Sequence, residues 1–388
     1  MLETLAIAGY RSIRDLVVPL HGLDVVTGAN GSGKSNLYRA LRLLASAGDD
    51  TVIGALAADG GLSSTLWAGP ETISRAMRDG HVPVQGTVRS GPVSLRLGFA
   101  TDSLGYLIDL GLPKADGSLR TLFARDPEIK REQIFAGSLA KPSSLLVDRH
   151  GPAVRIRDGD WRNAGRALAT YESVLTEFSD ADTAPEVLRI RHQVRGWRFY
   201  DHFRTDPAAP VRSPRIGTRT PVLDHSGDDL AAALQTIIES GGQDRLDRAI
   251  DDAFPGSRLR VEGGDGLFQI ELRQPGMLRP LGAGELSDGT LRYLLLVAAL
   301  LTPRPPELMV LNEPETSLHV DLLPQLARLI VTANEDTQIL VVSHARPLID
   351  ALQDAGDAHN HHLVKELGET KLEGQGLLST PAWNWGTR

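Results

Sequence analysis

Residues 28–35 read Gly-Ala-Asn-Gly-Ser-Gly-Lys-Ser, a match to GxxxxGK(S/T), and their flanks narrow the fold more than any other feature of the chain. Leu23 to Thr27, just upstream, is a short apolar run that reads as a strand. Downstream, Leu37, Leu41, Leu44 and Ala45 recur at helical spacing. A strand that passes through glycines straight into a helix is the layout in which backbone N–H groups wrap a phosphate and the helix start favours the anion. Gly28, Gly31 and Gly33 allow that approach, and Asn30, Ser32 and Asn36 complete the loop and first turn. Lys34 is placed to bridge β- and γ-phosphates, and the Ser35 hydroxyl to hold Mg²⁺. Nucleotide binding follows as the first expectation.

At 388 residues the chain exceeds the roughly 150 of one domain, so two lobes or a large insertion are expected. Hydrophobic residues at 41% and charged residues at 23% match ordinary globular usage and exclude a disordered or fibrous chain. Cysteine is absent, which removes disulfides, zinc knuckles, iron–sulfur clusters and thiol nucleophiles together. The opening MLETLAIAGYRS lacks the pattern of a secretory signal, and the longest apolar run, Tyr293 to Leu301, is far short of the roughly 20 residues of a spanning helix. A cytoplasmic protein without a membrane partner is expected.

Three strands are expected at the start, Leu2–Ala8, Leu16–Leu20 and Leu23–Thr27, then an antiparallel sheet over 83–112. The stretch 115–226, rich in Arg, Pro and Asp, reads as an insertion with helices near 160–178 and 184–203. Helical period returns from Asp228, followed by two strands within 258–273. The last third alternates: helix 287–302, strand 308–312, helix 321–334, strand 338–342, helix 345–354, the pattern of a parallel sheet. The fold class is α/β, a mainly parallel sheet with an antiparallel β subdomain and an inserted α/irregular region. Borders are expected at 1–114, 115–226 and 227–388.

A second constellation lies in that last third. Residues 285–290 read Glu-Leu-Ser-Asp-Gly-Thr, with Ser287 as a helix N-cap before the apolar run. Gly289 in the first turn lowers helix propensity by roughly 1 kcal/mol, which a cap alone does not require and a close approach by another group does. The strand from Glu307 ends in Asn312-Glu313-Pro314-Glu315, where a Mg²⁺ and a hydrolytic water would sit. A second buried strand, Ile339 to Ser343, delivers His344 at its end. Taken singly, Ser287 reads equally as a plain cap and His344 as a satisfied strand-end histidine.

Taken in order, with GYRSIRD at 9–15 ahead of the loop and Glu315-Thr-Ser-Leu-His319 behind the acidic strand, the motifs resemble the ABC-type ATPase fold, in its RecF, OLD and SMC-like soluble branch. The resemblance covers roughly residues 1–47 and 280–350. It implies an ATPase using ATP and Mg²⁺, and an ATP-dependent homodimer in which Ser287 and Gly289 of one copy cover the nucleotide held by Lys34 of the other. Glu313 would be the general base and His344 the γ-phosphate contact. The family's acidic pair is Asp-Glu and here it is Asn312-Glu313, so the metal loses a charge at Asn312 and slow hydrolysis follows. For the glutamine that joins the lobes, Gln85 and Gln133 are the candidates. Only 44 residues follow His344, too few for a TOPRIM nuclease, so any cutting would come from a separate effector nuclease. A transporter-coupled ATPase ranks below the soluble branch.

From Arg189 to Arg219 eight arginines face only Asp201 and Asp206, a net +6 inside a chain of −8. Trp197, Phe199, Tyr200 and Phe203 are interleaved. Two readings stay open. Arg198, Arg204 and their neighbours could form a DNA-contacting surface with stacking partners, or the aromatic side could be core and the arginine side solvated or paired.

Overall fold

Three strands open the chain, β1 (Leu2–Tyr10), β2 (Ile13–Pro19) and β3 (Leu23–Gly28), and α1 (Lys34–Ala45) follows the glycine loop. Next come β4 (Leu95–Thr101), β5 (Leu104–Gly111), β6 (Glu128–Ala136), β7 (Leu145–His150), β8 (Ala153–Asp158), β9 (Asp160–Asn163), α2 (Pro185–Gly196), β10 (Arg198–Tyr200) and β11 (Arg215–Ile216). The remainder holds α3 (Leu230–Ile237), α4 (Gln243–Ala253), β12 (Arg258–Gly264), β13 (Leu267–Arg273), β14 (Leu281–Gly282), α5 (Asp288–Leu300) and β15 (Leu308–Asn312). It ends with α6 (Leu323–Ala333), β16 (Gln338–Val342), α7 (Arg346–Ala355), β17 (His359–Glu366) and β18 (Glu369–Leu372). The computed structural model describes residues 1–71, 74–79, 81–82, 92–113, 122–123, 125–178, 184–356, 358–376 and 378–386. The expected strand Val-Pro-Val-Gln-Gly-Thr-Val at 82–88, with Gln85, lies outside the described residues except for Val82.

The chain divides into two units, the first comprising Met1–His21, Thr27–Trp197 and His361–Arg388, the second Gly22–Val26 and Arg198–Asn360. These borders differ from the expected ones at 114/115 and 226/227.

The first unit is built on an antiparallel sheet in the order β2-β1-β4-β5-β6-β7-β8-β9. Residues 128–163, inside the stretch read as an insertion, continue this sheet, and residues 160–163 are a strand rather than the start of a helix. The sheet was hidden because its buried face carries charge. Glu132 and Arg149, both fully buried, pair at 2.6 Å, and the Tyr106 and Ser173 hydroxyls and the Val174 N–H also donate to Glu132. With every acceptor taken, the buried pair is tolerated, but it breaks the apolar alternation that marks a strand. The C-terminal tail closes on the same sheet. Trp383 packs edge-on against Phe135 and covers Gly98, where a Cβ would fall 2.5 Å from its ring.

The second unit holds a parallel sheet in the order β10-β15-β16-β3, as the alternation in the last third predicts. Leu308–Leu311 and Gln338–Val342 are buried throughout, the continuous runs of strands covered on both faces. α5 is buried from Leu291 to Leu300, so it shows no polar stripe, and Ser287 caps it by accepting from the Thr290 N–H at 3.1 Å. A smaller antiparallel sheet, β11-β13-β12 with β14 beside β13, completes this unit.

Candidate nucleotide site

In the first unit the glycine loop is held in a conformation that other residues resist. Gly28, Gly31 and Gly33 have φ of 145°, 82° and 112°. The hairpin β17–β18 backs the loop at close range: a Cβ on Gly33 would lie 2.1 Å from Thr370 Oγ1, and one on Gly28 2.4 Å from the Leu363 carbonyl. The Thr370 hydroxyl donates to the Ser32 carbonyl at 2.8 Å, and His362 Nδ1 bonds the Thr27 hydroxyl at 2.9 Å. Gly33 caps α1 without a side chain, and no acid stands in the first turn, so the helix start keeps its donors and its dipole for an anion. Lys34 is buried and donates to the loop's own carbonyls, Gly28 at 2.6 Å and Ala29 at 3.3 Å, while Ser35 and Asn30 are exposed. This donor set fits a polyphosphate.

Beside the loop, Arg11, Ser12, Asn36, Trp67 and Lys365 line a cleft of ≈ 640 Å³. Asn36 Nδ2 donates to Ser12 Oγ at 2.7 Å, tying the first turn of α1 to the β1–β2 turn. Trp67 and Lys365 carried no sequence signal, because each is brought to the loop by an element distant in the chain. Gln133 is buried in β6, where its amide nitrogen donates to Asp148 at 2.7 Å.

In the second unit the carboxyl ends of three parallel strands are hydrogen-bonded side by side. The Glu313 N–H donates to the Val342 carbonyl at 2.8 Å and the Ser343 N–H to the Val26 carbonyl at 3.1 Å. Asn312, half-buried, ends β15. Glu313 follows with φ 49°, strained for any residue but glycine and more so before Pro314. Its carboxylate is half-exposed, with Oε1 3.6 Å from His344 Nδ1. Glu315 Oε1 stands 3.5 Å from the same nitrogen. The Glu315 side chain is buried and accepts from Ser343 Oγ at 2.7 Å and from the His344 and Ala345 N–H groups at 3.2 and 3.3 Å. It fixes the turn that presents His344. Glu315 was legible only as part of the stretch after Glu313; its role in setting the histidine was not.

Ser287 stays at the helix start, with its hydroxyl on Thr290. The close approach that Gly289 demands is met inside the chain, where a Cβ would fall 2.6 Å from the Ser317 carbonyl. The loop leading into Ser287 is gripped by Arg212, which donates to the Ala283 and Leu286 carbonyls at 3.2 and 2.8 Å and pairs with Asp288 at 2.5 Å. Arg292 on α5 is buried and donates to the carbonyls of Asp201 and Glu313 at 3.2 and 3.1 Å. Burial pulls its guanidinium below the usual value, opposed by the charges of Glu315, Asp201 and Glu313.

Of the two readings of the basic segment, the burial and the ion pairs favour the second. Trp197, Phe199, Tyr200 and Phe203 are all buried, so they offer no stacking faces. Arg195 pairs with Asp49, Arg204 with Asp206 and Arg219 with Glu239, and Arg212 is the loop clamp just described. The helix end at Trp197, β10 and the turn after it put the aromatic side chains in the core, and acids both near and distant in the chain stand beside these arginines.

A family model described as "AAA domain, putative AbiEii toxin, Type IV TA system" matches residues 25–351. No curated protein matches the sequence. Similar solved structures include an SmcHead bound to the C-winged helix domain of ScpA, at 14% identity over 97% of this chain and 98% of that one, TM-score 0.49. The SMC head domain from Thermotoga maritima is 14% identical over 97% and 99%, TM-score 0.44. An Smc head with an extended coiled coil derived from Pyrococcus furiosus, bound to the C-terminal domain of ScpA, is 13% identical over 97% and 96%, TM-score 0.47. Among the described residues no helix is long and apolar enough to cross a membrane.

Proposed function

The chain belongs to this AAA-domain family of P-loop ATPases, and from that premise we propose that it binds and hydrolyses Mg-ATP and dimerises in doing so. The observation that carries the reading is the cluster at the strand ends, where Glu313 Oε1 and a fixed Glu315 face His344 Nδ1 within 3.6 Å. The loop N–H groups, the start of α1 and Lys34 hold the phosphates, and the cleft beside Asn36 and Trp67 takes the nucleoside end. Mg²⁺, which Ser35 and Asn312 would hold, would neutralise phosphate charge. Glu313 accepts the proton of the attacking water at its half-exposed carboxylate, and His344, oriented by Glu315, contacts the γ-phosphate. Ser287 and Gly289 of a second copy close over the nucleotide. DNA is the proposed substrate of the closed dimer, resting on charge alone. A second reading, an ATP-controlled switch for a separate effector nuclease or toxin, is favoured by Asn312, whose missing charge would slow turnover.

The test is Glu313→Gln at saturating Mg-ATP, measured by solution mass and phosphate release. Wild type should turn over, and the variant should accumulate as an ATP-bound dimer. A variant that stays monomeric sinks the dimer, and turnover equal to wild type sinks Glu313 as the base.

A further inference from the structure

Arg292 belongs to none of the motifs above, yet among the described residues it is the one buried arginine of the second unit. It makes no ion pair there. Its Nη2 reaches two main-chain carbonyls, those of Asp201 after β10 and Glu313 after β15, and its Nε is buried without a hydrogen-bond partner. A guanidinium kept in a core without a contacting carboxylate is costly, and an apolar side chain of similar length would fill the space more cheaply. The arrangement makes sense if the cation does something that a packed side chain cannot.

What it does is visible in the main chain of Glu313. The N–H of that residue is held by Val342 and its carbonyl by both Arg292 and the Thr316 N–H, each at 3.1 Å, while φ is 49° ahead of a proline. A backbone in a disfavoured region persists only where its surroundings over-determine it, and these three bonds are restraints, of which the Arg292 bond alone comes from a side chain. Loss of the guanidinium would leave the carbonyl on the Thr316 N–H alone and loosen the peptide toward the extended conformation that a residue before proline prefers, shifting the carboxylate relative to His344. Arg292 stands five residues after Ser287 on the same helix, and Gly289 between them lies against Ser317. The helix start and the Glu313 segment are therefore in direct mechanical contact.

We infer that Arg292 is a positioning residue that couples the Ser287-capped start of α5 to the direction of the Glu313 carboxylate. This rests on the reading of Glu313 as the base.

Arg292→Met and Arg292→Lys are compared with wild type and Glu313→Gln in the full chain, reading kcat, the KM for ATP and the melting profile. Displacement of a catalytic group by about 1 Å costs on the order of 10²-fold in rate. Arg292→Met should therefore lose roughly that in kcat while the KM for ATP stays within about twofold. Arg292→Lys, which keeps a cation and can serve one carbonyl, should recover part of the loss. A folded Arg292→Met with wild-type kcat overturns the inference, as does a loss carried wholly by KM. Where Arg292→Met fails to fold, Arg292→Lys decides: kcat lowered at unchanged KM supports the coupling, and wild-type kinetics overturn it. A wild type as inert as Glu313→Gln overturns the reading of Glu313, and this inference with it, whereas an active wild type with unaffected Arg292 variants strikes the coupling alone.

Discussion

Asn312 and Gly33 are residues at which one atom decides the chemistry. Asn312 ends β15 with an amide where a carboxylate would add a charge. Asn312→Asp should tighten the metal by about 1 kcal/mol, roughly fivefold, and lower the Mg²⁺ midpoint of turnover accordingly. A midpoint that does not move would mean that position 312 does not face the metal. Gly33 combines φ 112° with a neighbour 2.1 Å from where a Cβ would stand, whereas Gly31 has φ 82° and open space around it. Gly31→Ala should cost only the backbone strain, about 1–2 kcal/mol of ATP affinity, and Gly33→Ala clearly more, because Thr370 must also move. Equal losses in a fluorescent-nucleotide titration would show that the hairpin does not shape the loop. The glycines were legible because phosphate binding needs their φ; Thr370 and His362 were not, since contacts across more than 300 residues leave no local pattern.

Elements were readable wherever one period held without interruption. β3, α1, α5, β15, β16 and α7 lie within a few residues of their predicted bounds, since each is a plain apolar run or stripe between turn residues. β6 and β7 failed because a buried ion pair stands where apolar residues were sought, and the arginines of 189–219 left two readings open because sequence shows charge but not partner. Arg212 is the clearest case: it reads as one more basic group and is a clamp on the loop into α5. Arg212→Ala strands several carbonyls and should lower stability by about 2–3 kcal/mol in urea unfolding. Arg204→Ala, which removes only an exposed pair with Asp206, should leave the midpoint unchanged. If both variants unfold together with wild type, the clamp carries no stability.

At the scale of the whole molecule, the two halves of the motif set fall in different units. The phosphate loop belongs to the first, and the acidic strand, the capped helix and His344 to the second, while β3 through Val26 is counted with the second and continues directly into the loop. The order of motifs was therefore legible in sequence, but the units were not, because their borders cut through a strand and through the basic segment at 197/198 rather than at a linker. That division bears on the DNA reading. With the aromatic side chains buried, a nucleic acid could be held on 189–219 only by charge, and binding by charge alone is governed by counterion release. Each phosphate neutralised contributes a slope of about −0.9 to log K against log salt. Arg198→Glu with Arg204→Glu removes two cations, so the slope for duplex DNA should flatten by roughly two while the ATPase rate without DNA is unchanged. An unaltered slope would assign both arginines to the fold and leave the effector switch as the function of the closed dimer.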